Sequence, residues 1–135
     1  MLYRTAKFFK IAAKASSDVR NPWADFYRKC YKTKKGELVE KLYKLYNEAV
    51  FDNLLPADMK IEWKNRLTKT AGRTYNRLER HDGKVEHRSN IDLSTKVLDS
   101  PGKLRNTLLH EMCHSANWVI DNSKQIGHGP QWRMW

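Results

Sequence analysis

The sequence predicts an α+β fold: helices first, then a small mostly antiparallel sheet, then one long helix. Three observations carry that expectation. Apolar residues recur at helical spacing over residues 37–51, alternation replaces that period between residues 60 and 93, and helical spacing returns after Pro101. Strands grouped between helices, and not interleaved with them, indicate α+β and argue against a repeated βαβ unit. A length of 135 residues fits one domain, and 40% hydrophobic residues supply a core.

Residues 1–17 hold four basic residues and no acid, and end in two serines. Leu2, Ala6, Phe9 and Ala13 share one stripe, so an amphipathic helix is expected, although the composition also fits a mitochondrial transit peptide. Asn21-Pro22 breaks this region, and Trp23 to Tyr31 reads as a short helix with an aromatic face. Arg28 to Lys35 carries five basic residues up to Gly36, either a solvated loop or a phosphate-contacting patch. Over 37–51, Leu38, Leu42, Leu45 and Ala49 line one helical face, with Val39, Tyr46 and Val50 beside them. Asp52-Asn53 and Pro56 end that helix.

Lys60 to Lys64 alternates like a half-buried strand. Residues 71–78 and 84–93 flank Asp82-Gly83, which suits a tight hairpin turn because Gly accepts positive φ. In the second arm Val85, His87, Ser89, Ile91 and Leu93 share the expected inner face. Ser100 is placed to cap the last helix, and Pro101 stands where a missing N–H costs nothing. Leu104, Leu108, Met112, Ala116 and Ile120 form its core stripe. The expected organisation is a basic helical extension over 1–36 and a domain over 37–135, together one compact unit.

Twenty-six Lys and Arg against 15 Asp and Glu leave a formal charge of +11, which favours a polyanionic partner, nucleic acid before anionic membrane. Basic segments 4–14, 28–35 and 64–80 could contact phosphates, with Trp and Tyr available to stack on unpaired bases. No apolar run approaches the roughly 18 residues that span a bilayer. Cys30 and Cys113 belong to no CxxC pair and make no disulfide framework, so a reducing compartment is expected.

The chemistry lies in the last helix. His110-Glu111-Met112-Cys113-His114 is an HExxH motif. Histidines at i and i+4 stand one turn apart on one face, so both imidazoles can bind one metal. Glu111 follows the first ligand and can act on a water as a general base without taking a coordination site. Cys113 points about 100° away from its neighbour His114 and reads as a packed core cysteine.

A catalytic zinc site ordinarily has a third protein ligand. No Glu follows Glu111, and Asp121 lies seven residues along the helix, roughly 10 Å by helical rise. Asn117 stands where an HExxHxxGxxH pattern has Gly. His128 remains, in Gly127-His128-Gly129-Pro130, whose glycines can turn the chain back toward the helix. His81 and His87 lie in or beside the hairpin and read as ordinary surface or sheet residues. Tyr75 and Arg73 are candidate oxyanion donors only through their proximity in sequence.

Thr107 through His114, followed by Gly127-His128-Gly129-Pro130 and Trp132, resembles the SprT-like metalloprotease family. Ala71-Gly72, Ile91-Asp92-Leu93-Ser94 and Leu108-Leu109 bring it nearer the germ cell nuclear antigen branch. The resemblance covers roughly residues 37–135. It implies a zincin-like fold, Zn2+ held by His110, His114 and His128, and Glu111 as catalytic base. It further implies a nuclear endopeptidase acting on DNA-bound or DNA-crosslinked proteins. Two cysteines are too few for the zinc ribbon common in that family, so DNA binding is expected to be weak and electrostatic, on single-stranded or junction DNA, by a monomer. The rival readings are a nucleic-acid-binding module with a non-catalytic zinc and a zinc hydrolase of another substrate.

Overall fold

The computed structural model describes residues 24–121. Two helices, α1 (Ala24–Lys29) and α2 (Tyr31–Ala49), precede strands β1 (Lys60–Lys64), β2 (Gly72–His81) and β3 (Lys84–Ser94), and helix α3 (Pro101–Val119) follows. The amphipathic helix expected over 1–17 and the segment bearing His128 lie outside the described residues. Among the described residues no helix is long and apolar enough to cross a membrane.

The sheet has the order β1-β3-β2. β2 and β3 form the hairpin expected around Asp82-Gly83, paired from Gly72↔Leu93 to His81↔Lys84. Both turn residues take positive φ, Asp82 at 50° and Gly83 at 80°, the backbone that a two-residue hairpin of the right twist requires. The sheet is mixed where a mostly antiparallel one was expected. β3 returns between β1 and β2, so it runs antiparallel to β2 and parallel to β1, with Lys60↔Asn90 through Lys64↔Ser94 in register. Lying between two neighbours, β3 buries Ile91, Asp92, Leu93 and Ser94 at its far end, whereas Val85 near the turn stays 51% exposed. The inner face assigned to Val85 therefore extends only over the later part of that strand.

Helix α2 corrects two expectations. It starts at Tyr31 and runs through Gly36, so the basic stretch is helical from Tyr31 onward and is not a loop. Its buried face is Leu38, Val39, Leu42, Tyr43, Tyr46 and Asn47, while Leu45 and Ala49 face solvent. The stripe is rotated because two polar groups find backbone partners on the inner side. The Tyr43 hydroxyl donates to Pro56 O, and the Asn47 side chain bonds both the N–H and the C=O of Leu55. A buried polar group so satisfied costs little.

Helix α3 follows its sequence signals closely. The Ser100 hydroxyl accepts from Lys103 N–H at 3.3 Å, and Pro101 opens the helix. Leu104, Leu108, Met112 and Ala116 are fully buried, with Ile120 partly so. Cys113 is buried in the same core, and burial raises its thiol pKa far above the ordinary value. The core joins α2, the end of β3 and α3 in one cluster on one side of the sheet.

Candidate metal and catalytic centre

Three contacts hold α3 along the β2–β3 ladder. Thr74 on β2 touches Glu111, the Ser89 and Ser115 hydroxyls lie 2.8 Å apart, and the Trp118 indole N–H donates to Arg77 O at 3.1 Å. His87, read from sequence as an ordinary sheet residue, packs against Trp118 with ring centroids 4.5 Å apart and the planes tilted by 56°. The helix thus runs beside β2 in the same direction, with the HExxH turn against the start of that strand.

Within that turn the Nε2 atoms of His110 and His114 lie 3.1 Å apart, with the rings edge to face. That spacing suits one N–H···N bond, and it also suits two lone pairs directed at one ion. Nitrogens at about 2.0–2.1 Å from a tetrahedral zinc are separated by about 3.3 Å, so the pair fits a shared metal with little adjustment. No third His, Cys, Asp or Glu joins them among the described residues.

Glu111 is 93% buried, since 7% of its surface is exposed. Its Oε1 accepts from the Thr74 hydroxyl at 2.8 Å, and the same hydroxyl lies 3.2 Å from the Glu111 carbonyl oxygen. Burial raises the carboxyl pKa above its ordinary value, and the Thr74 bond acts in the opposite direction. Two residues earlier, Gly72 lets the strand press on the helix. A Cβ there would stand 3.0 Å from Thr107 Cγ2 and 3.2 Å from Glu111 Cγ. Thr74 was not foreseen as part of the site; its only sequence signal was a hydroxyl on a strand later than Gly72, with nothing to pair it to Glu111.

An open cleft of about 300 Å³ lies over this turn, lined by Ala71, Gly72, Asn106, Thr107, His110 and Glu111. A larger groove, about 610 Å³ between α2 and β1, contains no His or Cys and lies away from the histidines. Arg73 and Tyr75 do not serve the cleft. Side chains alternate along a strand, so with Thr74 turned to Glu111 both point to the opposite face of the sheet.

Glu111 is thus buried on the same helical turn as two histidines whose ring nitrogens converge, on a helix backed by β2. Residues 39–135 match the SprT-like family, and the chain belongs to it; that family is generally associated with zinc. The chain is 40% identical over 126 residues to a germ cell nuclear acidic protein of Drosophila melanogaster, covering 93% of this chain and 11% of that protein. A human protein of the same name is 39% identical over 104 residues, covering 77% of this chain and 15% of the relative. An HMG box-containing protein of Schizosaccharomyces pombe is 31% identical, over 80% of this chain and 32% of the relative. The chain therefore spans a third or less of the length of these relatives. No solved structure gives a significant match.

Proposed function

We propose that the chain is a zinc-dependent endopeptidase that cleaves proteins bound or crosslinked to DNA, a nuclear activity in DNA–protein crosslink repair. The observation that carries this reading is the pair of imidazole nitrogens 3.1 Å apart beside a buried carboxylate held by Thr74. His110, His114 and His128 are the proposed zinc ligands, and Glu111 the general base. The catalytic domain is taken as 37–135, with 1–36 as its basic extension.

His110 and His114 would hold the zinc, which when bound would supply Lewis acidity to a water and to the scissile carbonyl. Glu111 accepts the water proton on a carboxylate oxygen and returns it to the leaving amine. The Thr74 hydroxyl keeps that carboxylate from turning away. β2 is an edge strand of the described sheet, so an extended peptide can add to it beside the cleft through backbone hydrogen bonds. The nuclear, DNA-bound setting is supported by the charge of +11 and by relatives whose names include "nuclear" and "HMG box".

The test measures zinc per chain by elemental analysis and cleavage of a histone substrate, with Glu111→Gln as comparison. The expected result is about one zinc in both proteins and cleavage by the unsubstituted chain alone. Zinc without cleavage of any protein would leave the non-catalytic zinc module or a hydrolase of another substrate.

A further inference from the structure

The described cations are not evenly free to meet a polyanion. On the outer face of the sheet most are neutralised: Arg77 pairs with Glu79, Arg88 with Glu79 and Glu86, and Lys60 and Lys64 with Glu62. On α2, Lys34 and Lys41 flank Glu37. Exposed cations outside any ion pair among the described residues remain at the hairpin end, Arg80 and Lys84, and in the loops at the cleft end of the sheet, where bonds between two loops bring them together. Arg66, Lys69 and Lys96 are exposed, and no ion pair or hydrogen bond engages their side chains among the described residues.

Two short loops carry these three cations, and Ser94 ties the loops together. Its hydroxyl donates to Leu67 O and accepts from Val97 N–H, and its own N–H donates to Ala71 O. Thr95 N–H donates to Lys64 O at 3.1 Å. The Ser94 side chain is fully buried, so the β1–β2 loop and the β3–α3 loop are fixed to each other. Beside them on the outer face, Arg73 donates to the hydroxyl of Tyr75, whose ring is 44% exposed. Of the nearby acids, Glu62 is paired and Asp99 is paired with Lys103, while Asp92 is buried opposite Arg73 and its charge acts on that guanidinium. The same β1–β2 loop runs directly into Ala71 and Gly72, two residues of the cleft wall.

We propose that these paired loops are the docking surface for single-stranded DNA. Arg66, Lys69, Arg73 and Lys96 take phosphates, and Tyr75 stacks on a base. A row of cations with an exposed aromatic is the pattern that holds an unpaired strand without reading its sequence. The surface rests on the proposed protease reading for its purpose, because a strand held there brings an attached protein to the cleft. It also gives Arg73 and Tyr75 a role on the face to which strand alternation turns them.

The experiment compares two variants of the whole chain, Lys69→Glu/Lys96→Glu and Arg80→Glu/Lys84→Glu, each lowering the formal charge of +11 by four. The second pair sits at the hairpin end of the ladder, about 30 Å from Gly72 at 3.4 Å per residue. Fluorescence anisotropy with an unstructured oligonucleotide is measured across a salt series, with thermal melts to verify folding. The loop variant should bind at least about tenfold more weakly at low salt, with the slope of log affinity on log salt reduced by about 1.4, while the hairpin variant stays near the parent. Tyr75→Ala should lose the preference for single strands over duplex while keeping the salt slope. Equal losses in both charge variants, or none in the loop variant, would overturn the assignment. DNA-independent peptide cleavage, read in the same proteins, should be unchanged in the loop variant. Its absence from the unsubstituted chain would instead sink the protease reading and leave the binding result standing.

Discussion

Thr74 acts on Glu111 in two ways, fixing the rotation of the carboxylate and opposing the rise in proton affinity that burial causes. Thr74→Val keeps the shape and removes the hydroxyl, so hydrolysis should fall about tenfold or more with zinc content unchanged; Thr74→Ser should restore most of it. Glu111→Gln goes further, because an amide cannot accept the proton, and should cost on the order of 10²–10⁴ in turnover with fold and zinc retained. Gly72→Ala inserts a methyl 3.2 Å from both Glu111 Cγ and Asp92 O. It should destabilise the fold by about 1–2 kcal/mol, read by thermal melting, and lower turnover by more than that loss explains. His128→Ala should sharply lower zinc content by elemental analysis, and unchanged zinc would remove His128 from the ligand set.

Tyr31 links α2 to the loop before α3 by donating from its hydroxyl to Leu98 O at 2.6 Å. Burial, reinforced by Asp99, pushes its pKa up from 10.0 to about 12. An acid whose folded pKa is raised stabilises fully below its unfolded value and loses that contribution as pH climbs through the folded one. Stability should therefore decline between about pH 10 and pH 12, by roughly 2 kcal/mol from this group. Tyr31→Phe should be weaker by about 1 kcal/mol at neutral pH and flatter over that alkaline range, measured by urea unfolding at several pH values. The elements with strong local signals were legible in the sequence: the cap and stripe of α3, the Asp82-Gly83 turn and the alternation of β1. The rotation of α2 was not, because it depends on where Tyr43 and Asn47 find distant backbone partners. The HExxH turn was legible because both histidines lie within one turn of helix. Its support by Gly72 and Thr74 was not, because those residues are brought to it only by packing of the strand across 37 positions of chain.

At the scale of the whole molecule, one apolar cluster supports the site, since Leu108 and Met112 are fully buried on the helix that carries His110 and Glu111. Leu108→Ala should cost about 2–5 kcal/mol by chemical denaturation. The topology has a separate consequence, for the order of assembly. The central strand is the last of the described strands, so within the described sheet β1 has no neighbour to join until β3 is in place. The β2–β3 hairpin closes a two-residue loop, whereas the β1–β3 pairing must close some thirty residues of chain, an entropic cost that grows with loop length. The hairpin then becomes the template, and its turn controls how fast the rest can follow. Gly83→Val, which strains a φ of 80°, should slow refolding more than it speeds unfolding, a split that stopped-flow kinetics can read. Because Gly72 and Thr74 sit on that hairpin, the surroundings of Glu111 are completed only when α3 docks onto a sheet already formed, so a chain stalled with its hairpin open carries the histidines without the strand that orients the glutamate.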